Sequence, residues 1–131
     1  MVADAVHILP TEKSPEVYLN PEGTIHMKGR GAIVNRAEFP DQVFEWIDLY
    51  VNNPAEVTYV IIDFEYLNSY STTTLFSVLK KISRVMLKSK KLIIKWYYEE
   101  DDEDILERGE YIAASLSIPL EFIVKHKRTG Y

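Results

Sequence analysis

The chain has 131 residues and 15.2 kDa, the size of one domain, which leaves no room for a separate cofactor module. Its net charge of −5 disfavours a general nucleic-acid binder, because neutralising phosphates needs a basic surface, which could exist here only as a local patch. The absence of cysteine excludes disulfides and thiolate metal sites, and His7, His26 and His126 are scattered, so no cofactor or metal is expected.

Taken from the N-terminus, Met1 to Pro10 carries no positive leader, and nowhere do about 18 consecutive apolar residues occur. A cytoplasmic protein without membrane insertion is the expectation. The first strand is predicted over Glu16 to Asn20, and the turn Asn20-Pro21-Glu22-Gly23 leads into a second, Thr24 to Lys28, forming a hairpin. Gly29-Arg30-Gly31 reads as a break. Val43, Trp46, Ile47, Tyr50 and Val51 then recur every three and four residues, the apolar face of a helix that opens near Pro40 and stops at Asn52-Asn53-Pro54.

The run Val57 to Phe64 is β-branched and aromatic with little alternation, the pattern of a central strand covered on both faces. Asn68 to Thr74 opens a second helix whose inner face is Leu75, Val78, Leu79, Ile82, Val85 and Met86. Leu92 to Tyr98 is a further strand, and a third helix over Asp102 to Leu116 turns Ile105, Ile112 and Leu116 inward. Leu120 to Val124 is the last strand, and 125–131 is expected to be a flexible tail. Strands alternating with amphipathic helices give one α/β domain over 1–131, in the order ββαβαβαβ, with parallel crossovers.

Three segments carry candidate chemistry. Asn68-Ser69-Tyr70-Ser71-Thr72-Thr73-Thr74 places five hydroxyls in seven positions at a strand-to-helix junction. One such residue caps a helix, but one cap does not need five hydroxyls. Free amides and the positive end of the helix dipole favour a phosphate there, so the segment is also a candidate phosphorylation loop. Second, Trp96-Tyr97-Tyr98 runs into the six carboxylates Glu99, Glu100, Asp101, Asp102, Glu103 and Asp104. This fails as a calcium loop, since Leu106 and Glu107 stand where a ligand and the turn glycine belong. Some of the acids suit a helix N-terminus, and the aromatic-acidic junction suits partner recognition. Third, seven of the fifteen Lys and Arg fall between Lys80 and Lys95, as expected of a solvated helix face and C-terminus. Asp63 and Glu65, two apart on a strand, could share a face like an acid-base pair, although no activated nucleophile accompanies them, or could join the acidic run in binding a divalent metal for hydrolysis.

The strings Asp63 to Thr72 and Trp96 to Asp104, with Glu16-Val17-Tyr18-Leu19, Gly29, Phe39, Trp46, Tyr50 and Gly109, resemble the SiaC-type biofilm regulatory phosphoproteins over nearly the whole chain. The resemblance implies a fold like the STAS-type anti-sigma factor antagonists and a switch without catalysis. The unmodified protein would bind and activate a diguanylate cyclase, making the output cyclic di-GMP. A cognate Ser/Thr kinase would phosphorylate it, and a metal-dependent Ser/Thr phosphatase would restore it. Asn68 matches the Asn of the family's Asn-Thr-Ser-Ser motif and Ser69 occupies the acceptor position. Tyr70 stands where the family has a small Ser and Thr73 where it often has Lys, which leaves Ser71 and Thr72 as alternative acceptors. Asn68, Tyr70, Tyr97, Tyr98, Glu99, Glu100, Asp101 and Asp102 are the expected partner-binding residues. A partner-switching antagonist of an anti-sigma kinase and a metal-dependent hydrolase are the competing expectations.

Overall fold

The computed structural model describes residues 3–126. Its strands are β1 (Val6–Ile8), β2 (Glu16–Asn20), β3 (Thr24–Gly31), β4 (Val57–Leu67), β5 (Lys91–Glu99) and β6 (Glu121–Lys125). The helices are α1 (Asp41–Tyr50), α2 (Ser69–Ile82) and α3 (Glu103–Leu116), with 3₁₀ segments at Arg36–Glu38 and Ser83–Lys88. The six strands form one sheet in sequential order. β1 and β2 pair antiparallel, as do β2 and β3, and every later pairing is parallel.

The expected α/β class is therefore observed, with the order βββαβαβαβ in place of ββαβαβαβ. The extra strand is β1, three residues long, too short to leave a periodic signal. The expected break at Gly29 to Gly31 is instead the end of β3, where a bulge shifts the register between Gly29 and Arg30. Gly29 takes φ +117°, a conformation that L side chains rarely adopt, which explains both the glycine and its misreading as a terminator.

Strand order β3-β4-β5-β6 never reverses. Right-handed crossovers then place α1, α2 and α3 on the same face. The other face lies open, which corrects the expectation that β4 is covered on both sides. Thr58, Val60, Ile62 and Phe64 are buried, whereas Tyr59 is exposed and Ile61 and Asp63 are half-buried. Hydropathy hid this alternation because the open face itself carries Tyr59, Ile61, Ile93 and Tyr97.

The core beneath the helices joins Val17, Leu19, Ile25 and Met27 to Val60, Ile62, Ile94 and Trp96, closed by the predicted inner faces of α1 and α2. Met86 is the exception and is 43% exposed. From Ser83 the chain tightens to three residues per turn, so Val85 stays inward while Met86 and Leu87 rotate out. Lys125 ends β6 and pairs with Asp63, so it is no part of a tail; 127–131 lie outside the described residues.

Candidate functional site

The site lies where the C-terminal ends of β4 and β5 hand the chain to α2 and α3. Because these strands are parallel neighbours, both helices begin at the same edge of the sheet. Asn68 is the N-cap of α2, and its Oδ1 accepts from the Ser71 N–H at 2.8 Å. The other end of the same amide donates from Nδ2 to the Ile33 carbonyl at 2.9 Å. The Asn68 backbone N–H donates to the Gly31 carbonyl at 2.8 Å. Ser71 completes the attachment, its Oγ accepting from the Ile33 N–H at 3.1 Å. The first turn of α2 is thus fastened to the segment that follows β3, and the Asn68 side chain is committed to that structural task.

These contacts sort the five hydroxyls. Ser71, Thr72 and Thr74 are buried. Thr72 Oγ1 donates to the Asn68 carbonyl at 2.8 Å, and Thr74 Oγ1 donates to the Tyr70 carbonyl at 3.1 Å. Thr73 is exposed and its Oγ1 donates to the Ser69 carbonyl at 3.2 Å. Ser69 is exposed at the first helical position, and its hydroxyl takes part in none of these bonds. Of the four amides that a helix start leaves unpaired, those of Asn68 and Ser71 are satisfied as above. The Ser69 and Tyr70 N–H groups have no intrahelical partner and point toward the positive end of the dipole.

A shallow groove joins this turn to α3. It is lined by Ser69, Thr72 and Thr73 on one side and by Asp104, Glu107, Arg108 and Tyr111 on the other. Arg108 spans it, donating from Nε to Asp104 Oδ2 at 3.0 Å and from Nη1 to Thr72 Oγ1 at 2.8 Å. Tyr111, which lines the groove, and Tyr70, next to Ser69 in the chain, are large side chains 65% and 40% exposed. Sequence reasoning missed Arg108 and Tyr111. Their signal was the spacing Asp104, Arg108, Tyr111, a stripe on one side of α3 separate from the inward Ile105 and Ile112.

The acidic run divides between two tasks. Asp102 is the N-cap of α3, its Oδ1 accepting from the Ile105 N–H at 3.1 Å, while Glu103 and Asp104 occupy the first turn, where negative charge suits the dipole. Asp104 alone of the six lines the groove beside Ser69. Glu99 ends β5, Glu100 and Asp101 form the turn before α3, all three are exposed, and Glu100 meets His126 Nδ1 at 2.8 Å. Tyr97 lies on the open face, paired in register with Asp63 and Ile123, whereas Tyr98 packs against the core on the helix side.

Asp63 and Glu65 are not brought together as a pair. Asp63 is held by Lys125 and Glu65 lies 3.9 Å from Arg30, with the bulge between their rows. Among the described residues no group of three or more His, Asp or Glu is placed to hold a metal ion. The basic cluster lies at the far end of α2, where Lys81 and Arg84 meet Asp48, and Lys90 meets Glu56. No helix among the described residues is long and apolar enough to cross a membrane.

Residues 8–125 match the family model described as SiaC family regulatory phosphoprotein. The chain belongs to the SiaC family. An uncharacterized protein of Pseudomonas aeruginosa strain UCBPP-PA14 is 21% identical over 115 residues, covering 87% of this chain and 91% of that protein. Among solved structures, SiaC of Pseudomonas aeruginosa superposes with a TM-score of 0.76 at 18% identity, over 95% of this chain and 99% of that one. The crystal structure of the diguanylate cyclase SiaD in complex with its activator SiaC, also from Pseudomonas aeruginosa, matches with a TM-score of 0.77 at 19% identity. That match covers 93% of this chain and 99% of the other. At such identities the superpositions establish a shared fold, and the SiaC family assignment rests on the family model.

Proposed function

We propose that this SiaC-family chain is a phosphorylation-switched binding protein, without catalytic activity of its own, whose unmodified form docks on and activates a diguanylate cyclase. Ser69 accepts phosphate from a Ser/Thr kinase, and a metal-dependent Ser/Thr phosphatase removes it. The switch works in the cytoplasm, where the ATP that the kinase needs is available. The observation that carries the reading is the sorting of hydroxyls: Ser71, Thr72 and Thr74 are buried, Thr73 is turned back onto its own helix, and Ser69 faces solvent. Family membership supplies the phosphoprotein class, and the solved SiaC–SiaD complex supplies the class of partner.

Phosphate at Ser69 adds about −1.5 to −2 charge at pH 7. It enters a groove that already holds Asp104 and Glu107 against a single cation, Arg108. A partner seated over Tyr70 and Tyr111 then meets a more negative surface, while the core beneath is untouched. The test is incubation of the purified protein with its kinase and ATP, with the phosphate mapped by fragmentation. Cyclase binding is then measured for both forms. Phosphate on Ser69 that weakens cyclase binding supports the proposal. Phosphate confined to Ser71 or Thr72, or equal binding by both forms, refutes it.

A further inference from the structure

The groove beside Ser69 contains one cation, and its position suggests a task that family membership does not assign. Arg108 Nη1 bonds to Thr72, one helical turn from Ser69, and residues three apart on a helix share a face. The guanidinium therefore sits over the stripe of α2 that Ser69 begins. Of its five N–H donors, two are engaged, one by Thr72 and one by Asp104. The Arg108 side chain is 24% exposed and that of Asp104 is 61% exposed, so the cation is the better shielded partner of the pair. An i,i+4 pair of this exposure is weakly held.

We propose that Arg108 is the intramolecular receptor of the Ser69 phosphate and exchanges Asp104 for it. This rests on Ser69 being the acceptor. A phosphoserine offers three acceptor oxygens and up to two negative charges, and a guanidinium meets such a group through two parallel N–H···O bonds. The carboxylate offers one charge and is already half in water. Once the exchange occurs, α2 and α3 are linked across the groove, and Asp104 loses its counter-charge. Modification at one helix is thereby passed to the acidic start of the next. The groups facing the phosphate are Thr72 and Thr73 from α2 and Asp104, Glu107, Arg108 and Tyr111 from α3. Arg108 lowers the second ionisation of the phosphate, whereas Asp104 and Glu107 raise it.

The experiment installs phosphoserine at position 69 during synthesis, so no kinase is needed, and follows the ³¹P resonance through a pH titration. An ordinary phosphoserine titrates at about pH 6. Replacing Arg108→Gln is expected to move the midpoint upward by about one pH unit relative to the otherwise identical phosphoprotein. The ¹⁵Nε resonance of Arg108 is expected to shift on comparing the Ser69 and phosphoserine forms. Coincident midpoints, or an unmoved Nε resonance, overturn the proposal. Arg108→Lys keeps the charge and the aliphatic stem, and so covers the case in which the Gln variant does not fold. A midpoint above that of wild type supports the forked contact, and one equal to wild type overturns it. Because the phosphate is installed, failure of the native kinase to modify Ser69 refutes the acceptor assignment while leaving this measurement intact.

Discussion

Gly109 sets how close α3 approaches the sheet, and replacing it with alanine sets two effects against each other. Alanine is favoured over glycine inside a helix by about 1 kcal/mol. A Cβ at this position, however, would lie 2.7 Å from Trp96 Cε2 and Nε1 and 2.8 Å from Phe122 Cε1. Trp96 cannot retreat, being fully buried, with its Nε1 donating to the Ile105 carbonyl at 3.1 Å. Overpacking a well-filled core costs about 1–3 kcal/mol, and losing the indole hydrogen bond adds about 1 kcal/mol. The packing terms outweigh helix propensity, giving a net destabilisation of about 1–3 kcal/mol. For a domain of this length that lowers Tm by about 4 °C per kcal/mol, readable by calorimetry. The shift also reaches the site, because Arg108 is the neighbour of Gly109 and its bond to Thr72 requires α3 at its present distance. The phosphorylated form of Gly109→Ala should therefore lose contact between the two helices as well as stability. A Tm equal to or above wild type would show that helix propensity wins and would refute the reasoning.

Asn68→Ala removes the cap of α2 and the tie to Ile33 together, so unfolding in urea should show a loss of about 2 kcal/mol with an unchanged slope. Ser69→Ala should retain cyclase binding and take up no phosphate at that position, while phosphoserine at 69 should weaken binding at least tenfold, or about 1.4 kcal/mol, by calorimetric titration. Burial holds the His26 imidazole below its ordinary value of 6.5, assisted by Lys28 and opposed by Asp63 and Glu16. The unfolded chain then binds a proton near pH 6.5 that the folded chain refuses, so this contribution is complete above that pH and is lost as pH falls through the folded value. His26→Gln should flatten the decline of Tm between about pH 6.5 and 5; a profile parallel to wild type would show that His26 does not govern it.

Much of this was legible because hydrophobic period and turn chemistry agreed. Val43, Trp46, Ile47 and Tyr50 are the buried face of α1, and Asn20-Pro21-Glu22-Gly23 is the turn between β2 and β3. What was illegible has physical causes. A three-residue strand such as β1 gains its identity from pairing with β2, which no local pattern records. Val57 to Phe64 read as doubly covered because hydropathy registers Tyr59 and Ile61 as apolar wherever they point. At the site, the cap and the acceptor candidates could be named from the seven-residue string. Their separation into buried and exposed hydroxyls could not, since Ser71 is buried by Gly31 and Ile33, some forty positions earlier in the chain. Arg108 was invisible for the same reason: its partner Thr72 is 36 residues away.

The arrangement also accounts for how a surface charge can act without refolding the protein. The first turn of α2 is fixed from two directions, by Asn68 and Ser71 onto the segment after β3 and by Thr72 onto Arg108 of α3. Two of these three residues are buried, so the turn is part of the packed frame. Ser69 is exposed on that frame, so the proposed phosphate would disturb no buried apolar contact. A free loop carrying the same serine would dissipate the added charge in its own motion. The proposed phosphate on Ser69 would instead be held in the groove lined by Asp104, Glu107 and Tyr111, where a partner would meet it in one place. Rigidity on the inner side of the turn is therefore what makes exposure on its outer side informative to a partner.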